Sequence, residues 1–284
     1  MTSSDNAYYQ DLYASDDDAR RAGWRHRLEQ ALRYEVALRL LGEQRLADMR
    51  MLDVGCGPGG LLCYLQDTGR SPRSYMGIDP LEEAIARARA RSPDGHFRQC
   101  ALEELGVVDD VDAAVAIGAL IDGVGITSER MRRQRIAAFL EHLLATGCER
   151  GVLILLEQGA LDARPSLAME SALFGLHHHE TDAFTSSFAS RHANIVFTAH
   201  AGFLPTDLAI TWRPEGEEAM VSDELATACL NAVIEGPWSE DVEPSWRAWL
   251  CIEAGAHERA REILAVLDET PHVSLLRERL ELIS

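Results

Sequence analysis

Two rhythms alternate along the first two thirds of the chain. Short, nearly unbroken apolar runs end in Asp, Gly or Pro, and between them apolar residues return every third or fourth position. The first rhythm reads as buried strands and the second as helices. From Trp24 to Leu41, Leu28, Leu32, Val36 and Leu40 recur at helical spacing, and Gly42 stops the run. MLDVGCGPGGLLCYLQ follows as strand, tight turn and helix, and SYMGIDP predicts a second strand ending at Asp79. LEEAIARARAR reads as a helix with Leu81, Ala84, Ile85 and Ala88 inward, and HFRQC as a third short strand. VDAAVAIGAL is almost wholly apolar, as a strand buried on both faces must be. Residues 127–146 predict a helix with Ile136, Phe139, Leu140, Leu143 and Leu144 on one side, and GVLILLEQG a fifth strand.

Beyond it lies an insert of about residues 158–180, then a predicted helix from Asp182 to Ala201. Its inward side holds Phe184, Phe188, Ile195 and Ala199, with Thr181 as N-cap and Gly202 as stop. A sixth strand falls around Leu208–Trp212, and a seventh is hard to see. After residue 222 the pattern is helical only, in four short segments broken by Gly and Pro. Strands alternating with helices imply a parallel sheet covered on both faces, which binds ligands at the carboxyl ends of its strands. The expected division is an N-terminal arm or lid (1–24), a main α/β domain (25–215) and a helical C-terminal extension (216–284).

Composition narrows the chemistry. The chain has 284 residues and a net charge of −19, and all its basic residues are Arg. That surplus repels nucleic acid and anionic membranes alike. The six cysteines show no metal-like spacing, no apolar run approaches the ~18 residues of a membrane span, and no secretory leader is evident. A cytoplasmic setting is the expectation.

The most specific stretch is DVGCGPGG. Gly55, Gly57 and Gly59 or Gly60 allow a sharp turn and a close ligand approach. Asp79 closes the second strand, where an acid accepts hydrogen bonds from ribose hydroxyls. A dinucleotide fold expects GxGxxG and a pyrophosphate on the next helix. Here Asp53 precedes the loop. It would repel a pyrophosphate and suits a cationic or zwitterionic amino-acid group.

With these residues in view, MLDVGCGPGG followed by GIDP resembles the class I S-adenosylmethionine-dependent methyltransferase family over roughly residues 25–213. The resemblance implies a doubly wound, mostly parallel, seven-stranded Rossmann-like sheet with one antiparallel strand. It implies S-adenosylmethionine as cofactor and S-adenosylhomocysteine as product. Asp53, Gly55, Cys56, Gly57 and Gly59 would hold the methionine part and sugar, and Asp79 and Pro80 the ribose. Family members often carry an acid after the third strand to reach the adenine amine. Cys100 stands in that place, which leaves adenine to Ala101 and Leu102. Ile117 and Gly118 would line the sulfonium pocket, and Tyr13, Trp24 and Arg33 would form a lid.

A sulfonium methyl needs chiefly an aligned nucleophile. A base matters only when the acceptor has a proton to lose. AIGAL after the fourth strand contains neither an NPPY-type tetrad nor Pro-Cys, which argues against amino methylation of adenine or glutamine and against cytosine carbon-5 chemistry. The expectation is transfer to O or N of a small molecule, in specialised metabolism. Alternatives are a methyltransferase-fold cyclase that uses the cofactor electrostatically, a protein methyltransferase, or a partner-binding module built on the helical tail. The tail also offers a homodimer contact. LHHHETD reads first as a polar loop capping the next helix; its other reading is a base or substrate-orienting group, for which His177, His178 and His179 lie on the ligand side by topology, with His178 preferred. Glu157 and Gln158 are further substrate contacts. No metal is expected, because no second ligand cluster accompanies the histidines. His192 and His200 read as structural.

Overall fold

The computed structural model describes residues 26–105, 108, 111–122, 129–148, 150–157, 194–201, 207–216 and 225–283. Seven strands form one sheet: β1 Arg50–Val54, β2 Ser74–Asp79, β3 His96–Gln99, β4 Ala113–Asp122, β5 Gly151–Glu157, β6 Ile195–Ala201 and β7 Asp207–Pro214, in the order β3-β2-β1-β4-β5-β7-β6. β7 runs antiparallel to both its neighbours, and the pairs among β1 to β5 are parallel. This is the doubly wound, mostly parallel sheet with a single reversed strand.

One expectation is corrected here. Residues 195–201 form β6, where the sequence spacing predicted the end of a helix, so the remaining strand of the sheet precedes the one at Leu208–Trp212 instead of following it. Ile195, Val196 and Thr198 are β-branched and sit beside Phe197, a composition that fits a pleated surface better than a helix turn. The rest of that predicted helix, with Thr181 and His192, lies outside the described residues.

Alternation along the strands sorts the core into two layers. Met51, Val115, Ile117, Val152, Ile154 and Ala209 share one buried cluster with α1 (Arg27–Leu41), α2 (Gly60–Asp67), α3 (Glu82–Arg91) and the C-terminal helices. Leu52, Val54, Ala114, Ala116, Leu153, Leu155 and Trp212 share the other with α4 (Leu102–Leu105) and α5 (Glu129–Ala145). Leu140 and Leu143 of α5 are fully buried.

α1 is capped at its start by His26, whose ring accepts from the Leu28 amide, and it ends at Gly42 in the left-handed region. It is buried from Leu28 through Leu38, including Glu29, Gln30, Arg33 and Glu35. A helix covered all round needs a second layer outside it. The C-terminal segment supplies that layer. α6 (Leu225–Ile234) packs on α1, and α7 (Pro244–Glu253), α8 (His257–Ala265) and α9 (Pro271–Leu282) extend the same cluster. Trp238, just after α6, lies edge-on to Tyr34 of α1 and Tyr64 of α2 and donates to Asp67. Glu35 of α1 is matched within this layer: it accepts from Arg39, Arg70 and the Tyr64 hydroxyl, so a buried carboxylate ties α1 to α2.

Candidate active site

The carboxyl ends of β1, β2 and β4 meet around the glycine loop. Gly55, Gly57 and Gly59 adopt φ of 73°, 53° and 79°, a conformation that L side chains rarely take. The turn is fastened from below: Gly55 and Cys56 donate their amides to the Ile78 carbonyl of β2, and Gly59 donates to Cys56. The three glycines differ in what surrounds them. A Cβ at Gly55 would lie 2.6 Å from the Ala119 Cβ, whereas one at Gly57 would meet nothing within 4 Å. Gly55 is therefore required by close packing of protein against protein. Gly57 has open space where a side chain would begin. α2 begins at Gly60 without a side-chain cap.

β4 reaches this loop by leaving its ladder. Gly118 has φ 71°, and the pairing with β5 shifts register between Ile117 and Ile121. Such a break re-aims the chain at the sheet's edge of function. Here it brings Ala119 onto Gly55 directly after buried Ile117.

Asp53 is 3% exposed and Asp79 7%. Asp79 is held by backbone: the Gly57 amide donates to Oδ2 at 3.0 Å and the Leu81 amide to Oδ1 at 2.9 Å. It therefore binds the glycine loop to the start of α3. Burial lifts its pKa to about 6, with both amide bonds pulling the other way. Asp53 is held by a side chain, since the Tyr75 hydroxyl donates to its Oδ2. Burial lifts its pKa to about 7; the Tyr75 bond works against that rise and the nearby Asp79 charge adds to it.

Tyr75 and its neighbourhood were not predicted. Parallel register sets Asp53 opposite Gly77, and Tyr75 lies two residues earlier on the same side of β2. Gly77 has no side chain to block the loop: a Cβ there would lie 2.9 Å from the Cys56 sulfur. Tyr34 of α1 also approaches, accepting from Gln30 at 2.8 Å. A Cβ at Gly60 would fall 2.3 Å from its hydroxyl. Burial raises the pKa of Cys56, Tyr34 and Tyr75, so all three are neutral near pH 7.

The remaining candidates fall as follows. Cys100 is buried after β3; its amide donates to the Asp79 carbonyl and its thiol to the Ala101 carbonyl. Leu102 is buried and Ala101 half-buried, directly after Cys100, and half-buried Pro80 follows Asp79. Arg33 lies inside α1, paired with Glu29 at 3.1 Å. Tyr13, Trp24, His177, His178, His179 and Gln158 lie outside the described residues, as does the side chain of Glu157. Among the described residues no group of His, Cys, Asp and Glu has metal-site geometry, and no helix is long and apolar enough to cross a membrane.

The site thus offers two buried carboxylates, an uncapped helix start and an open glycine position. That set fits an amino-acid ammonium, ribose hydroxyls and a carboxylate, which are the polar groups of S-adenosylmethionine. Residues 51–147, which contain every one of these elements, match the family described as a methyltransferase domain. Over these residues the chain carries a methyltransferase domain, and the polar groups of the site suit S-adenosylmethionine as its cofactor. Among solved structures, the plantazolicin methyltransferase BpumL with a triazolic desmethylPZN analogue and S-adenosylhomocysteine is 15% identical, with 74% of this chain and 95% of that chain covered and a TM-score of 0.45. The magnesium protoporphyrin IX methyltransferase ChlM of Synechocystis PCC 6803, with bound S-adenosylhomocysteine, is 15% identical, with 74% and 94% covered and a TM-score of 0.44. No curated protein matches the sequence.

Proposed function

We propose that the enzyme transfers the cofactor's methyl group to an oxygen or nitrogen of a small molecule in specialised metabolism. The observation that carries the cofactor half of this reading is the pair of buried carboxylates flanking an open glycine turn. Asp53 takes the methionine ammonium, the uncapped start of α2 suits its carboxylate, and Asp79 takes the ribose hydroxyls. Cys56, Pro80, Ala101, Leu102 and Ile117 complete the lining, and Tyr13, Trp24 and Arg33 close over it. When bound, S-adenosylmethionine supplies an electrophilic methyl on a sulfonium. The chain's own contribution is then to hold that group still and to present the acceptor behind it.

The acceptor half is supported by charge and by what the fourth strand lacks. A net charge of −19 disfavours nucleic acid, and AIGAL carries neither an amide-recognising tetrad nor a cysteine nucleophile. His178, with His177 and His179 beside it, is the proposed base for an acceptor that has a proton to lose. Residues 25–215 form the catalytic domain in this reading and 216–284 an extension that covers α1. The extension carries exposed Val266, Leu275 and Leu282, which suit a homodimer contact. The setting proposed is the cytoplasm.

The experiment is to incubate the protein with S-adenosylmethionine and panels of hydroxylated and amino small molecules, peptides and RNA. Release of S-adenosylhomocysteine dependent on a small molecule supports the proposal. Release dependent only on peptide or RNA overturns it. His178→Ala should then lower turnover about 100-fold, with cofactor affinity nearly unchanged.

A further inference from the structure

Asp53 needs to be ionised to hold an ammonium, yet it lies in a place that opposes its charge. Among the described residues, titratable groups face it from β2, the glycine loop and α1. Tyr75 and Asp79 come from β2, Cys56 from the loop and Tyr34 from α1, with Cys63 and Arg91 one step further out, against Tyr34. Among these, Tyr75 is the group that donates to the carboxylate itself. It is a fixed donor, since its ring is buried on β2 and meets Phe97 edge-on with centroids 6.0 Å apart. A Cβ at Gly77, between Tyr75 and Asp79, would crowd Phe97 at 2.7 Å and the Cys56 sulfur at 2.9 Å.

We infer that Tyr75 is a positioning residue for cofactor binding: its hydroxyl occupies one oxygen of Asp53, stabilises the carboxylate form and turns the other oxygen toward the methionine ammonium. This rests on the reading that Asp53 takes that ammonium. A phenol that donates a hydrogen bond favours the charged acceptor. The same bond therefore decides at what pH the site becomes receptive. Asp53 is neutral below about pH 7 in the free protein, so affinity for an ammonium rises with pH through that region. Removing the hydroxyl moves the rise to higher pH.

The test uses the full-length protein, wild type, Tyr75→Phe and Asp53→Asn. Calorimetry measures binding of S-adenosylmethionine and of 5′-methylthioadenosine, which lacks the amino-acid group, from pH 6 to pH 9. Tyr75→Phe keeps the packed ring. It is expected to weaken S-adenosylmethionine about tenfold near pH 6.5 and progressively less toward pH 9, an upward displacement of about one pH unit. The ligand's own titration cancels in the ratio of variant to wild type. Binding of 5′-methylthioadenosine should be unchanged. Equal weakening at every pH, or of both ligands alike, would mean that the ring's packing matters and not the hydroxyl, and would overturn the inference. So would unchanged affinity, provided Asp53→Asn selectively weakens S-adenosylmethionine. If Asp53→Asn weakens neither ligand, the ammonium reading of Asp53 itself is wrong and the inference goes with it. Where 5′-methylthioadenosine does not bind wild type measurably, the pH displacement alone decides.

Discussion

Asp53 and Asp79 end neighbouring strands of one sheet, yet the chain holds them in opposite ways. Asp79 accepts two backbone amides, from Gly57 and Leu81, and so is built into the turn it serves. Asp53 accepts from one side chain, Tyr75, and its burial raises its pKa further, to about 7 against about 6. The contrast separates two jobs that the family resemblance lists together. One acid shapes the loop and, in the proposed function, meets hydroxyls with what remains. The other sits in a place that disfavours its charge, and in the proposed function a cation relieves that.

The largest effect that sharpens this contrast is expected at Asp79. Asp79→Ala leaves two buried amides without their acceptor, so it should cost about 1–3 kcal/mol of stability and also weaken S-adenosylmethionine about 100-fold or more. Chemical denaturation and calorimetry read the two losses, and a stable variant would show that the loop does not depend on Asp79. Asp53→Asn should weaken the cofactor comparably but move stability the other way. An acid whose folded pKa is raised lends most stability below its unfolded value near 4, and that stability is lost as pH climbs to its folded value. The free wild type should therefore lose stability between about pH 4 and pH 7 through Asp53, and Asp53→Asn should be more stable than wild type at pH 8, by about 1–3 kcal/mol. Lower stability of the variant at that pH would erase the distinction between the two acids. The glycines give the next step down. Gly55→Ala meets Ala119 at 2.6 Å and should cost about 2–3 kcal/mol, while Gly57→Ala has open space and should cost only the ~1 kcal/mol of its left-handed backbone. Gly57→Ala should still weaken the cofactor, because its methyl takes the room left for the ligand.

How much of this the sequence carries depends on how far apart the interacting residues lie. The turn, its glycines and the acids before and after it are legible because each is fixed by neighbours a few positions away. The apolar runs of β1, β4 and β5 are legible because a strand buried on both faces leaves no polar position. Two of the four C-terminal helices declare their starts, α7 through Pro244 and α9 through Pro271 and Thr270, which accepts from the Val273 amide. Tyr75 is invisible to such reasoning. Its importance comes from a register that sets Gly77 opposite Asp53, and no local pattern states a register. β6 was misread because Phe188, Ile195 and Ala199 fall near helical spacing, while the β-branched run Ile195, Val196 and Thr198 carried the stronger signal. The total burial of α1 is equally non-local, since it depends on α6 returning from 180 residues later to cover its outer side.

The most direct test of the two-acid account is the proton balance of cofactor binding. S-adenosylmethionine titrated into the wild-type protein at pH 6.5, in two buffers of different ionisation enthalpy, should bind and release about half a proton or more, as Asp53 gives up its proton to face the ammonium. Binding with no proton released, or with the same release in Asp53→Asn, would contradict it.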